Sequence, residues 1–237
     1  MEDPFGEALW EYHQRREARY LIRRDDGYID EVDVKLYFQG PEDWPEVERR
    51  ALTRVRGRVL DLGCGAGRHL LLLQSLGHEA VGIDISPLAL KVSRERGVEH
   101  CVLMDARYLG FRAVSFDSAL MMGNNFGIAG DPEKTMALLK GLHRIMRSGG
   151  MLIATSIDPL ETDNPSHLAY HELNKRRGRP VGLVTIRIEF GDEYSPWFNL
   201  WLATPREMER TAKEAGWRML ELHKSHRGLY SAVLIRM

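Results

Sequence analysis

Apolar and polar positions alternate along this chain with two distinct periods. Short apolar runs at 58–62, 79–84, 100–104, 116–121 and 151–156 read as buried strands. Between them, apolar residues recur every three or four positions at 68–76, after residue 86 and at 132–147, which is the spacing of helices packed on one face. Ser86 followed by Pro87 is a helix start, an N-cap residue and then proline at the first helical position. Ser148-Gly149-Gly150 reads as the stop of the 132–147 helix. Strand and helix alternate without a break, which predicts an α/β fold with a doubly wound, mostly parallel sheet covered by helices.

The flanks break that rhythm. Residues 5–24 place Phe5, Leu9, Tyr12, Arg16, Tyr20 and Arg23 at helical spacings and predict one amphipathic helix. After the segment 28–40, Pro41 and Pro45 bracket a loop before a helix near 45–56. On the other side of the core, 157–180 is polar and interrupted by Pro159, Pro165 and Pro180, so irregular structure is expected there. Positions 181–190 alternate strictly, Gly191-Asp192 marks a turn, and 194–202 reads as the returning strand of an inserted hairpin. Thr204-Pro205 opens a helix over 205–215 that Gly216 ends, and 217–222 and 230–236 are two final strands, for seven in the main sheet. We therefore expect a single domain over 1–237: an N-terminal helical cap (1–50), a core (51–156 and 203–237) and a substrate-side lid inserted after strand five (157–202).

Composition narrows the partners. A formal net charge of −1 and a pI near 6.8 leave no broad electrostatic footprint, which makes nucleic acid an unlikely partner. Cys64 and Cys101 lack metal-ligand spacing, so no metal is expected and a reducing, cytoplasmic setting is the simplest reading. No apolar run approaches the roughly 18 residues of a membrane span, so no membrane partner is expected. The oligomeric state is left open.

The chemistry concentrates in Val59-Leu-Asp-Leu-Gly-Cys-Gly-Ala-Gly-Arg-His69. A buried strand carries Asp61 near its end, then glycines stand at 63, 65 and 67, then a helix begins. Glycine lets a backbone turn sharply and approach a ligand closely, and a plain turn needs one such residue, not three. Two more acids follow later strand ends, Asp84 at 21 residues after Gly63 and Asp105 another 21 further on. In an open α/β sheet, ligands sit beyond the carboxyl ends of the strands, so Asp61, Asp84 and Asp105 should ring one crevice. An acid after the second strand suits a ribose diol, and one after the third suits an adenine amino group. The plainer alternatives are a helix-start acid for Asp84 and a turn residue for Asp105. A dinucleotide dehydrogenase would show G-x-G-x-x-G, whereas the spacing here is G-x-G-x-G.

VLDLGCGAG resembles motif I of the class I S-adenosylmethionine-dependent methyltransferases, and the resemblance extends over 55–156 and more loosely over 203–237. It implies the Rossmann-like methyltransferase fold and S-adenosyl-L-methionine as cofactor, with S-adenosyl-L-homocysteine as product. Asp61, Gly63, Gly65 and Gly67 would lie against the methionine portion, with Cys64 and Arg68 beside them. Asp84, followed by Ile85, would bind the ribose, and Asp105 with Ala106 would flank the adenine. Gly123, Asn124 and Asn125 follow strand four, where the family's cofactor and acceptor meet. No proline follows the asparagine there, unlike the N-P-P-Y type motif of enzymes that methylate base amino groups. Tyr20 is expected to reach the cofactor from the N-terminal helix. The insertion offers Tyr170 and His171 as candidate proton acceptors, with Asn124 as a third candidate catalytic residue. A small-molecule acceptor is the preferred reading. A protein or RNA acceptor and a catalytically silent cofactor-binding module are the alternatives.

Overall fold

The computed structural model describes residues 2–237 and builds two sheets from them. In chain order the elements are α1 (Pro4–Arg15), β1 (Arg19–Arg24), β2 (Ile29–Asp33), α2 (Glu46–Leu52), β3 (Val59–Leu62), α3 (Arg68–Ser75), β4 (Ala80–Asp84), α4 (Pro87–Glu95), β5 (Cys101–Leu103), β6 (Phe116–Met121), α5 (Pro132–Ile145), β7 (Met146–Ile157), α6 (Pro165–Arg176), β8 (Leu183–Phe190), β9 (Glu193–Tyr194), β10 (Phe198–Trp201), α7 (Pro205–Glu214), β11 (Trp217–Lys224) and β12 (Leu229–Arg236). A short 3-10 turn, Val34–Tyr37, follows β2.

The main sheet has seven strands in the order β11-β12-β7-β6-β3-β4-β5. Strands β3 to β7 run parallel, while β12 and β11 close the sheet antiparallel. Every residue of β3 and β4 is buried, as expected of strands covered by helices on both faces. One apolar cluster, with Phe116, Trp201 and Trp217, fills the face under α5 and α7. A second, with Leu70, Leu73 and Leu90, fills the face under α3 and α4, and a third, with Leu9, Tyr20 and Val92, joins the N-terminal segment to α4. Strand order reverses between β3 and β6, so the crevice opens between the turns that follow Leu62 and Met121.

The structure differs from the sequence reading in three places. The helix predicted over 5–24 stops at Arg15, because Arg16 turns left-handed (φ 64°) and its N–H closes on the Tyr12 carbonyl. Residues 19–24 are β1 instead, with Tyr20, Ile22 and Arg24 on one face. Helical spacing extended this far because the strand's partner is remote: Leu21 lies opposite Glu189 and Arg23 opposite Arg187. The α5 helix ends at Ile145, and Met146 already pairs with Phe116, so β7 begins ahead of the Ser148-Gly149-Gly150 stop. Finally, 157–180 is not irregular throughout. Asn164 caps α6, with Pro165 in the first turn, where a proline costs no hydrogen bond.

β1 and β2 from the N-terminus join β8, β9 and β10 from the insertion in a single five-stranded sheet. This sheet stands at the carboxyl edge of the main one. Gly127, in the turn after β6, fits against β10 so closely that a Cβ there would meet the Trp201 carbonyl at 1.9 Å. Helix α1 packs on both α4 and β8, which carries the cap over the ends of β3 and β4.

Candidate active site

Gly63, Gly65 and Gly67 all have left-handed backbone, with φ of 73°, 53° and 77°. At Gly63 there is a second reason for glycine, since a Cβ would lie 2.5 Å from Asn125 Nδ2. That amide donates to the Leu62 carbonyl (3.0 Å) and the Gly63 carbonyl (3.3 Å), so Asn125 ties the turn after β6 to the glycine loop. The loop's own donors are largely spent inside the protein. The N–H groups of Gly63 and Cys64 go to the Ile83 carbonyl, that of Gly65 to Asp84, and that of Gly67 to the Cys64 carbonyl. A loop that cradles a pyrophosphate must offer free N–H groups, and this one does not.

What the crevice does offer is acceptors. Asp61 is 1% exposed, and its Oδ2 has no partner. Burial raises its pKa to about 6, against the pull of His69 and Arg68 and with a further push from Asp84. Asn124 sits left-handed at φ 69° with its N–H on Thr155 Oγ1 (3.1 Å), and its Oδ1 is buried without a partner. Gly123 beside it leaves open space where a Cβ would stand. Two unpaired acceptors at the ends of neighbouring strands fit a bound group that carries several N–H donors.

Asp84 is buried rather than open to the crevice. Its Oδ2 accepts from the Gly65 N–H and its Oδ1 from the Ser86 N–H, both at 2.9 Å, and burial holds its pKa up against those bonds. Each oxygen keeps a second lone pair. Next to it Ile85 is 68% exposed, an apolar surface with nothing over it. Asp105 is paired with Arg107 and also accepts from that residue's N–H, which keeps its carboxyl below the ordinary range, while Ala106 packs on the core. Two expected neighbours turn away from the crevice. Cys64 Sγ is buried against Gly82, so the residue can present only its backbone. The Arg68 guanidinium lies on Glu48 (2.9 Å), over the Trp44 ring.

The cap brings Tyr20 to the site together with two aromatics that sequence reasoning missed. Tyr37 Cδ1 and Phe5 Cζ lie 3.9 and 3.8 Å from the point where a Cβ on Gly65 would stand. The Tyr20 and Tyr37 hydroxyls bond to each other, and the Phe5 ring meets both tyrosine rings edge-on. Tyr37 stands in a segment without a clear period, and the short run Leu36-Tyr37-Phe38 is the one local signal there.

The two insertion candidates differ. The Tyr170 hydroxyl donates to Asp25 (2.7 Å) and accepts from the Thr185 N–H (3.2 Å), which ties α6 to the second sheet. His171 is buried on the same helix, and burial lowers its pKa, helped by His167 and Lys175, so its ring is neutral at pH 7.

A family model described as a methyltransferase domain matches residues 59–150, the segment that holds the glycine loop and all three acids. A demethylmenaquinone methyltransferase of Geobacillus kaustophilus is 29% identical over 68% of this chain and 70% of its own length. A cypemycin N-terminal methyltransferase of a Streptomyces species is 34% identical over 44% of this chain, and the match spans only 43% of that relative. Across the whole fold, the chain superposes on a crystal structure of a methyltransferase from Bacteroides fragilis in complex with S-adenosyl-L-homocysteine. The TM-score is 0.83 at 27% identity, over 100% of this chain and 96% of that one. Strand order, glycine loop and likeness all agree with the class I S-adenosylmethionine-dependent methyltransferase superfamily.

Proposed function

We propose that this enzyme transfers the methyl group of S-adenosylmethionine to a small-molecule nucleophile held beneath the second sheet. The observation that carries the reading is the joint lid: the N-terminal cap and the insertion form one sheet over the carboxyl ends of β3 and β6. Aromatic side chains and a sheet laid over the strand ends suit a small acceptor better than a polymer.

The cofactor fits the residues present. Its ammonium would find Asp61 Oδ2 and Asn124 Oδ1, both buried without partners. The free lone pairs of Asp84 would take the ribose hydroxyls, and Ile85 with Ala106 would cover the adenine beside Asp105. When bound, the cofactor supplies a methyl carbon already activated by its sulfonium. The protein's part is to align the acceptor with that carbon and keep water out, which can account for most of the rate. Phe5, Tyr20 and Tyr37 exclude water from above the glycine loop. His171, neutral and held by α6, is the group we assign to receive the acceptor's proton, since the Tyr170 hydroxyl is engaged in both directions.

The relatives' names point to acceptors of several classes, among them a quinone precursor and a peptide N-terminus. A screen with radiolabelled S-adenosylmethionine against metabolite pools, protein extract and RNA separates these. Label confined to a small organic fraction is the expected result, and label in protein or RNA alone would overturn the small-molecule reading. His171→Ala should lower kcat and abolish a rise in rate on the acid side, below the ordinary histidine pKa. An unchanged pH–rate profile would remove His171 from the reaction.

A further inference from the structure

The uncommitted hydrogen-bonding groups of the site fall into two kinds, one on the core and one on the cap. The floor offers acceptors, Asp61 Oδ2 and Asn124 Oδ1. The cap offers a donor. Tyr20 and Tyr37 share one hydrogen bond between two hydroxyls, 2.5 Å apart. Two O–H groups joined by one bond leave one proton uncommitted, whichever tyrosine donates. Phe5 packs against both rings, so the part-buried pair has an apolar wall on one side and an uncommitted donor to place.

The segment carrying Tyr37 is held rigidly over the loop. Arg96, buried enough that its pKa falls to about 10, reaches both the Ala66 carbonyl in the loop and the Tyr37 carbonyl in the cap (3.2 Å). Arg68 bonds Glu48 and reaches the Leu36 carbonyl (3.4 Å). Both guanidiniums are thus engaged in holding the backbone of the cap. They place Tyr37 and are not themselves free to grip an anion. Within the glycine loop the N–H groups of Gly63, Cys64, Gly65 and Gly67 are already spent as well.

Resting on the cofactor reading above, we infer that the Tyr20–Tyr37 hydroxyl pair receives the carboxylate of the cofactor's methionine end, and that Tyr37 is the residue that donates to it. A carboxylate is an acceptor only and an ammonium a donor only, so the donor wall and the acceptor wall orient the amino-acid end in one sense. The tyrosines belong to the cap, which makes cofactor binding and cap order one event. The carboxylate completes the hydrogen bonding of a part-buried pair that otherwise has a proton to spare.

The test compares two ligands on three proteins by calorimetry, without turnover. The ligands are S-adenosyl-L-homocysteine and S-adenosyl-3-thiopropylamine, its analogue that keeps the amine and lacks the carboxylate. Wild type should prefer the first by tenfold or more. Tyr37→Phe should weaken S-adenosyl-L-homocysteine about tenfold, the usual cost of one hydrogen bond to a charged group, and change the analogue by less than twofold. Tyr20→Phe should have a smaller effect, about threefold, because Tyr37 keeps its own hydroxyl. Equal weakening of both ligands by Tyr37→Phe would make the residue structural and overturn the assignment. So would an unchanged affinity for both, which would leave the carboxylate to the first turn of α3. Failure of wild type to bind S-adenosyl-L-homocysteine at all would overturn the cofactor reading beneath it, an outcome distinct from either.

Discussion

Asp61 shows how a single residue can be costly to the fold and useful to the site. Its carboxyl is raised from the ordinary 3.8 to about 6, chiefly by burial, with Asp84 adding to the push and His69 and Arg68 opposing it. Between those two values the folded protein holds a proton that the unfolded chain has lost, so stability falls as pH rises from about 4 to about 6. Above that the whole penalty is present, on the order of 2–3 kcal/mol. Asp61→Asn should therefore melt higher than wild type at pH 8 but not at pH 4, while binding S-adenosyl-L-homocysteine at least tenfold more weakly. A variant that melts lower at pH 8 would show that the carboxylate is satisfied in the folded state. Gly63→Ala is the opposite case, with no charge involved. Its Cβ would meet Asn125 Nδ2 at 2.5 Å on a left-handed backbone, costing about 1–3 kcal/mol. Melting and calorimetry should show both a lower midpoint and lost cofactor affinity. The glycines were legible in the sequence because local backbone geometry demands them, and the acids because each stands at the end of an apolar strand run. Tyr37 was not, because what puts it in the site is Arg68, Arg96 and Tyr20, at separations no local pattern records.

Between elements, one hydrogen-bond chain links the cap to the glycine loop. Asp3 caps α1 through the Gly6 N–H (2.9 Å) and accepts from Ser86 Oγ (2.6 Å). Ser86 in turn caps α4 through the Ala89 N–H, and its own N–H goes to Asp84, which also accepts from Gly65. Two helix starts and the candidate ribose acid therefore share partners. Asp3→Ala removes the cap of α1, a loss of about 1 kcal/mol, and frees the Ser86 hydroxyl. Hydrogen exchange should quicken in α1 and at the start of α4, with the amides of β6 and β7 unchanged. Uniform quickening would mean that α1 unfolds only with the whole domain. Ser86-Pro87 announced the α4 start in the sequence, whereas the second role of its hydroxyl depends on a residue 83 positions away.

At the scale of the molecule, the central sheet was legible because each βα unit carries its own period and caps. The second sheet was not, because β1 and β8 are joined only in space, with Arg23 and Glu189 bonded across 166 positions. That joining gives the lid its mechanics. Arg24, 7% exposed, grips Asp26 with two bonds of 2.8 Å and reaches the Ser166 carbonyl of α6 (3.0 Å). Its guanidinium also lies 4.7 Å from the Tyr28 ring centre and 4.2 Å from that of Tyr170, so one side chain links the β1–β2 hairpin to the inserted helix. Cap and insertion should therefore open as one body. Arg24→Ala removes a buried guanidinium with its bonds and ring contacts and leaves Asp26, a solvent-accessible carboxylate, unpaired, a change of about 1–3 kcal/mol, and the lid sheet has no other buried arginine to compensate. Hydrogen exchange in β1, α6 and β8 should rise together and by a similar factor, although these segments lie far apart in sequence, while β3, β4 and β6 keep wild-type protection. S-adenosyl-L-homocysteine, by ordering the cap, should restore part of the lost protection in β8 as well as in β1. Quickening confined to β1 and β2, with β8 left as in wild type, would show that the two halves of the lid move independently.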